Sequence, residues 1–448
     1  MPRVQFVGQS ARDPDNISSS TSRLMNCYLE PVGGRSQMVL KSVLSMAPFA
    51  NIDGVFTRAA KEVNGLVYIA HNGGLYEVNS NGTVVLLGAI DDSEDTTISG
   101  NDGKVTIATN GKYYVWDGTD LTQPTSGAFS DFGSVTYFGS LTILTERNGN
   151  RVQWSDVYDP STLGGLSFAT ADAYNGAVLR AEAVAGSVWI FKDNSIERWY
   201  QNGADLAPIA GGAIEFGLKA HGLIALLPNA AFFVSSDSKV RLLSGEMKTI
   251  STRAVETALT VKKATHCFFY QDEGHDICVI RFSDASAWCY DIATGMWHER
   301  AEGRAGKSWS AIASVKAFGE WHVVTAIGNI FSLKRGNTDA NRPLIREATG
   351  KTLQIEGNPF VVSRVEVQGR TGRSDLPDGR PATVELSLSR DHGETFGDPK
   401  PRSMGKVGEY RARMIWRSLG QFQQLTPKIT WADAAEITID ADVMVDIA

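Results

Sequence analysis

The chain has little cysteine, no long apolar run and few helical signals. Four cysteines in 448 residues are too few for a disulfide scaffold, and no C-x₂-C pair points to a zinc site. The most apolar stretch, residues 222–234, is broken by Pro228 and Asn229 and falls far short of the roughly 20 apolar residues of a membrane-spanning helix. No apolar signal-peptide core follows Met1. These absences predict a soluble protein that is made in a reducing compartment and is not exported by the general pathway.

Charge is distributed unevenly along the chain. With 43 Lys+Arg against 50 Asp+Glu the net charge is −7, which argues against a general nucleic-acid binder. Residues 1–62 carry 7 basic and 5 acidic side chains, residues 63–345 carry 22 and 30, and residues 346–448 carry 14 and 15. The acidic excess therefore lies in the middle of the chain, where contact with DNA is expected to be repulsive.

Short runs of β-formers recur between Gly, Asn and Asp turn signals, as in residues 66–87. Within such runs, large residues that precede a turn recur every 38–45 residues, at Tyr76, Trp116, Trp154, Trp199, Leu243, Trp288 and Phe331. A period of about 40–45 residues with three or four strands per unit predicts a β-propeller, here of about six or seven blades. A pair of generic β-sandwiches is the alternative.

Two flanks lie outside these repeats, and the chain is therefore divided into three parts. Residues 1–50 are polar and predict an extended N-terminal arm, residues 51–345 the all-β propeller, and residues 346–448 a separate C-terminal β domain. Residues 410–417 alternate and predict a strand whose outer side is a basic stripe of Arg411, Arg413 and Arg417, a candidate contact with another subunit. A merely solvated face is the alternative for this stripe.

The sharpest local motif matches the Asp-box pattern S-x-D-x-G-x-T-[WF] with Ser389, Asp391, Gly393, Thr395 and Phe396. Physically it predicts a hairpin turn whose side chains bond local backbone, which is a structural role. Asp-boxes are common in sialidases, so a glycosidase is the rival class. However, no local spacing picks out the arginines, tyrosine and carboxylate that such an enzyme needs.

The grouping that most resembles a metal site comprises His266, Cys267, His275, Cys278 and Cys289. The three cysteines are 11 residues apart, which would place them on successive strands as small buried residues. No phosphate-binding loop, dinucleotide fingerprint, nucleophile elbow or HExxH motif is present. The sequence therefore predicts no catalytic residue, no metal and no cofactor.

Four stretches resemble the packaged-DNA stabilisation proteins, the tail hub or nozzle family of P22-like short-tailed phages. They are Ser-Arg-Leu-Met-Asn-Cys-Tyr (22–28), Trp-Ser-Asp-Val-Tyr-Asp-Pro (154–160), the strand pair at 189–200, and the ending from 389 to 420. The resemblance runs in order over most of the chain. Lys192 departs from it, since it stands where the family pattern would have glycine.

The resemblance implies a non-enzymatic virion tail protein. Family members form a ring, typically of six copies, below the portal and its adaptor, where they extend the DNA channel, retain the packaged genome and in some phages hold a tail needle. Residues 1–50 and 346–448 would then be the platform for oligomerisation and adaptor binding. DNA would pass without specific recognition, and assembly would occur in the host cytoplasm. The rivals are a tail glycosidase acting on host polysaccharide and, last, a kelch-like interaction module.

Overall fold

Short strands joined by tight turns make up nearly all of the chain, as the all-β prediction required. The structure is a computed structural model that describes residues 3–5, 7–12, 21–32, 38–303, 306, 308–355, 358–373, 375–376, 378–433 and 437–447. The part of the predicted arm at residues 13–20 and 33–37 lies outside the described residues. Within those ranges there is one helix, α1 (Arg253–Val261), and no helix has the length and apolar character needed to cross a membrane.

Five strands lie in the N-terminal segment, and four-stranded antiparallel sheets follow it as blades. The N-terminal strands are β1 (Arg3–Gln5), β2 (Arg23–Met25), β3 (Cys27–Pro31), β4 (Met38–Ser42) and β5 (Ser45–Asn51). Blade 1 contains β6 (Thr57–Val63), β7 (Leu66–His71), β8 (Gly74–Val78) and β9 (Val84–Ala89). Blade 2 contains β10 (Thr97–Asn101), β11 (Lys104–Thr109), β12 (Lys112–Trp116) and β13 (Leu121–Thr122).

The next three blades repeat this order. Blade 3 contains β14 (Phe132–Phe138), β15 (Leu141–Glu146), β16 (Arg151–Trp154) and β17 (Phe168–Thr170). Blade 4 contains β18 (Val178–Val184), β19 (Ser187–Lys192), β20 (Ile196–Asn202) and β21 (Asp205–Ile214). Blade 5 contains β22 (Ile224–Leu227), β23 (Ala230–Val234), β24 (Val240–Ser244) and β25 (Glu246–Thr249), and α1 follows it.

Two further blades complete the propeller. Blade 6 contains β26 (Ala264–Asp272), β27 (His275–Phe282), β28 (Ala287–Asp291) and β29 (Met296–Arg300). Blade 7 contains β30 (Ala311–Ala317), β31 (Glu320–Thr325) and β32 (Asn329–Lys334), with β5 as its outer strand. The ring closes where β30 of blade 7 contacts β6 of blade 1. The described residues thus form seven blades, within the predicted six or seven.

The predicted sequence period marks the same place in every blade. Its seven residues, from Tyr76 to Phe331, each lie on the third strand of a different blade. The turns before and after the second strand of blade 1 are Asn64-Gly65 and Asn72-Gly73, with φ of 52° and 83° and of 47° and 75°. Positive φ at both central residues defines the type I′ turn that suits the twist of a hairpin. Asn-Gly therefore forms both of these hairpin turns in blade 1.

Blade 7 is closed by the N-terminal segment. Strand β5 pairs antiparallel with β32, with Pro48 opposite Phe331 and Met46 opposite Leu333. Met46 is 1% exposed and accepts a hydrogen bond from the indole of Trp309 at 3.2 Å. Residues 45–50 are therefore part of the propeller. The prediction that all of residues 1–50 form an arm outside it is corrected here, because strand pairing over this distance leaves no local sequence signal.

The C-terminal domain is a sandwich of two sheets. Its strands are β35 (Arg346–Thr349), β36 (Leu353–Gln354), β37 (Phe360–Gly369), β38 (Thr383–Ser389), β39 (Lys400–Ser403), β40 (Met414–Phe422), β41 (Gln424–Trp431) and β42 (Ile439–Ile447). A separate hairpin of β33 (Thr338–Asp339) and β34 (Arg342–Pro343) lies between blade 7 and the sandwich in the chain. One sheet has the order β3-β4-β42-β37-β40, with β1 also on β42. The other has the order β2-β35-β41-β38-β39, with β36 also on β41, and β2 joins it to β29 of blade 6.

The sandwich core also contains residues from the N-terminal segment. Leu24, Cys27, Leu29 and Leu40 are buried in one cluster with apolar side chains of β35–β42 that include Trp416. Trp416 is fully buried and donates from its indole nitrogen to the carbonyl of Lys400 at 2.7 Å. The described part of residues 21–44 is therefore built into the sandwich.

Deleting residues 1–50 is expected to destabilise both domains, because blade 7 loses β5 and the sandwich loses buried side chains that are each worth about 1.5–3 kcal/mol. Thermal unfolding followed by circular dichroism should show a lower melting temperature, and limited proteolysis should cut within blade 7. The control is Asn51→Lys, an exposed change on the same strand. A deletion variant that melts like the full chain would contradict the closure by β5.

Candidate functional site

The Asp-box forms a compact turn after β38. The Ser389 hydroxyl donates to Asp391 Oδ1 at 2.6 Å and accepts from the Gly393 amide at 2.8 Å. The Thr395 amide donates to Asp391 Oδ1 at 2.9 Å, and the Thr395 hydroxyl donates to the other carboxylate oxygen. Gly393 has φ of 82°, and the half-buried Phe396 ring lies 4.1 Å from Lys428 Nζ. The structure brings all five predicted residues together.

Both oxygens of the Asp391 carboxylate accept hydrogen bonds from within the turn. Hydrogen bonds from Ser389 and Thr395 lower the pKa of Asp391 to about 2. A general acid at neutral pH needs a raised pKa, which is the opposite shift. The geometry therefore favours a structural role for this turn.

The predicted strand at residues 410–417 begins later than expected. Met414 and Trp416 point into the core and Arg417 is exposed, as predicted, but β40 starts only at Met414. Tyr410 is 62% exposed, so the alternating strand predicted for residues 410–417 is wrong at its first residues. Gly405 and Gly408 have φ of 82° and 93°, and this left-handed backbone folds residues 404–413 into turns.

Arg413 of the predicted basic stripe holds a buried carboxylate. Its Nε and one Nη donate to the two oxygens of Glu366 at 2.9 and 2.7 Å, and Arg364 also bonds this carboxylate. The Glu366 side chain is only 3% exposed. Burial alone would raise the pKa of Glu366, but the two arginines outweigh it, so the pKa is lowered. Arg413 is therefore committed to an internal pair.

A groove of about 860 Å³ lies beside this pair on the sandwich. Its lining carries both signs of charge, with Glu30, Glu366, Asp440, Arg370, Arg411 and Arg413. Arg411 and Arg417 are exposed and form no ion pair within the described residues, and Arg417 lies outside the groove. The structure thus separates the predicted stripe into one paired arginine and two that are available to another molecule.

The stretch Ser-Arg-Leu-Met-Asn-Cys-Tyr joins the two domains. Asn26 has φ of 57°, and its side chain donates to the Ile345 carbonyl at 2.7 Å while accepting from the Ala301 amide at 2.9 Å. The Asn26 amide also donates to the Glu299 carbonyl at 2.9 Å. One asparagine therefore connects the N-terminal segment to blade 6 and to the start of the sandwich.

Charged pairs reinforce the same junction. Arg23 donates to both carboxylate oxygens of Glu299, at 3.0 and 2.8 Å, and the Tyr28 hydroxyl donates to Asp272 at 3.0 Å. Arg300 and Asp339 form a 2.9 Å pair in which neither side chain is more than 1% exposed. Removing one partner of such a buried pair is costly, because the other charge is then buried without a partner and without water to solvate it. The two domains are therefore held as one body.

Comparison with known families follows the same division into two domains. The family model described as bacteriophage P22 Gp10, beta-propeller, matches residues 8–334, and that described as bacteriophage P22 Gp10, beta-sandwich, matches residues 345–445. The chain belongs to the P22 Gp10 family. Members of this family are packaged-DNA stabilisation proteins. They are phage structural proteins and components of the virion tail.

Solved structures similar to this Gp10-family chain include WD40 propellers. The Neurospora crassa Pan2 WD40 domain is 7% identical with a TM-score of 0.45, over 65% of this chain and 96% of that one. The WD40 propeller of Doa1 is 10% identical with a TM-score of 0.43, over 65% and 97%. No curated protein sequence matches the chain. Nothing in these comparisons supports the alternative of a tail glycosidase.

The sequence analysis did not predict the buried contacts of Lys192. Its side chain is fully buried, and Nζ donates to the carbonyls of Ala171, at 2.8 Å, and Tyr174 and lies 3.8 Å from Glu197. The Lys192 amide bonds the Ser195 carbonyl at 2.9 Å, so the turn forms without glycine. The departure from the family pattern at Lys192 was the signal that could have predicted this pairing, because a lysine within an apolar strand is either exposed or paired.

The cysteines near the predicted grouping are core residues. Cys267, Cys278 and Cys289 lie buried on β26, β27 and β28, as predicted, and burial raises the pKa of each thiol. Burial also lowers the pKa of His266, to about 4. Among the described residues, no group of His, Cys, Asp or Glu has the arrangement of a metal site.

Asp391→Asn is expected to lower the melting temperature at pH 7, with the difference from the wild type vanishing in acid. Folding lowers the pKa of Asp391 from about 3.8 to about 2, so its contribution is complete above pH 4 and is lost as pH falls through 2. Melting temperatures of both proteins between pH 7 and pH 2 measure this. The control is Asp398→Asn in the following exposed loop; a difference independent of pH would contradict the assignment.

Lys192→Ala is expected to cost about 3–5 kcal/mol of the free energy of unfolding, because it leaves a buried carboxylate without its cation. Urea unfolding followed by tryptophan fluorescence measures the loss. The matched control is Lys334→Ala, whose half-exposed side chain pairs with Glu320 at 3.0 Å and should cost under about 1 kcal/mol. Equal losses in both variants would argue against the buried pair.

Proposed function

We propose that this protein is a subunit of the phage tail hub, a ring below the portal and its adaptor that extends the DNA channel and retains the packaged genome. The observation that carries the proposal is the match of both domains to the P22 Gp10 family, in order and over residues 8–334 and 345–445. The ring would contain six copies, bind the portal adaptor, hold a needle or distal tail protein, and assemble in the host cytoplasm.

The physical features support this role. The continuous sheet through β29 and β2 and the buried pair of Arg300 and Asp339 make the subunit a rigid part suited to a pressurised channel. Residues 63–345 carry 22 basic and 30 acidic side chains, so a propeller face lining the channel would repel DNA and let it slide. The described parts of residues 1–44 and 346–448 would form the adaptor-binding platform, with Arg411 and Arg417 as contacts to a neighbouring subunit.

The test is complementation of DNA-filled heads that lack this protein. Purified protein is added, and genome loss is followed as nuclease-sensitive DNA. We expect addition to suppress leakage and to add a ring at the portal vertex in electron micrographs. Unchanged leakage without added density would defeat the proposal, and release of reducing sugar from host polysaccharide would then favour the glycosidase.

In the same assay the double variant Arg411→Glu, Arg417→Glu is expected to be incorporated about tenfold less. The two glutamates would repel the carboxylates of the neighbouring subunit that the arginines are proposed to contact. Arg413 is left intact because its loss would leave the buried Glu366 carboxylate short of a partner. The control is Arg380→Glu, an exposed arginine on another loop. Equal incorporation of both variants, with unchanged melting temperatures, would exclude these arginines from the contact.

A further inference from the structure

Strand β9 is the outer strand of blade 1, and its outer edge is open. It pairs with β8 and with no other strand of the described residues. Its sequence, Val-Val-Leu-Leu-Gly-Ala, contains no charge and no proline, and Val85 and Leu86 are 46% and 59% exposed. An exposed apolar edge strand is a template for pairing with another chain.

Four other blades protect the outer edge by known means. Strands β13 and β17 have only two and three residues. Strand β21 contains Pro208 and a register irregularity opposite Glu197 and Trp199, while β25 carries Glu246 and Lys248. Short length, proline, irregular pairing and charge are the devices that keep edges from associating. The pairing of β9 with β8 also has one register irregularity, opposite Leu75 and Tyr76, but β9 is six residues long and has neither proline nor charge.

The remaining two outer edges are covered by this chain itself. Strand β29 of blade 6 is covered by β2, with Met25 opposite Glu299. On β5 of blade 7, the Met46 amide donates to Asp339 Oδ1 and the Met46 carbonyl accepts from Ala340, both at 2.9 Å. Of the seven outer edges, only β9 is therefore left long, apolar and uncovered within the described residues.

We propose that the β9 edge (Val84–Ala89) is covered by an extended strand of a neighbouring copy of this chain. This inference rests on the proposed ring and names the surface by which one subunit recognises the next. Main-chain hydrogen bonds would supply the pairing, and Val85 and Leu86 would become buried against the incoming strand.

The size of the edge favours a second copy over a free partner. Six residues of strand bury far less than the roughly 800 Å² per partner of a stable complex, so the occupant must already be held beside the edge by other contacts. In a closed ring every subunit is held in this way by its neighbours. The same chain already uses strand addition where β2 completes the edge of blade 6. In free subunits the edge would stay open, and its pairing would follow assembly.

The decisive experiment uses Leu86→Cys. The four native cysteines are buried, so the new thiol is the accessible site for a benzophenone maleimide. Labelled protein is mixed with excess wild type, added to DNA-filled heads that lack the protein, and irradiated. We expect a cross-linked product of two copies. The control is Thr170→Cys on the short outer strand of blade 3, which should give none. A product with a different virion protein, or no product from the labelled Leu86→Cys variant, would overturn the proposal.

A second variant separates the edge from the hub. Val85→Lys with Leu86→Lys should leave the melting temperature of the free subunit unchanged, since both side chains are exposed, and should reduce incorporation about tenfold. Thr170→Lys is the matched control. If wild type fails to join heads, the hub proposal fails; if wild type joins and the double variant joins equally, only the edge proposal fails.

Discussion

Asn26 occupies a left-handed backbone position from which one amide side chain bonds the sandwich and blade 6. The strands on either side of it, β2 and β3, belong to different sheets of the sandwich, and β5 follows shortly after to close blade 7. Both domains therefore depend on the same thirty or so residues of chain. Neither can be complete without a segment that the other also fixes in place.

Buried charges fix this arrangement more than they stabilise it. Arg300 with Asp339 at the junction, and Lys192 with Glu197 in blade 4, are pairs that an apolar core could replace with little loss of stability. Each pair nevertheless excludes alternative packings, because any shift would leave a charge without solvent or partner. In the proposed hub, such pairs would serve to keep the shape of the subunit constant more than to raise its melting temperature.

The repeat was readable from the sequence because each blade is built from local hairpins. Tight hairpin turns and a large residue on the third strand recur about every 45 residues, so neighbours in sequence are neighbours in the sheet. The pairing of β5 with β32 joins Pro48 to Phe331 and leaves no such local pattern. At residues 410–413 the sequence alternates between apolar and charged residues, but no strand forms there. The left-handed backbone of Gly405 and Gly408 places this segment in turns, which the side-chain pattern does not predict.

The pairing of Pro48 with Phe331 also orders events in time. The two residues are 283 positions apart, so a ribosome adding 5–20 residues per second needs roughly 15 to 60 seconds between them. During that interval β5 has been synthesised without its partner, and the six blades between them can form while the ring stays open. The first strands to be synthesised are thus among the last to be placed in the fold. The nascent chain must therefore keep apolar residues of β5, such as Met46, from aggregating until the final blade emerges.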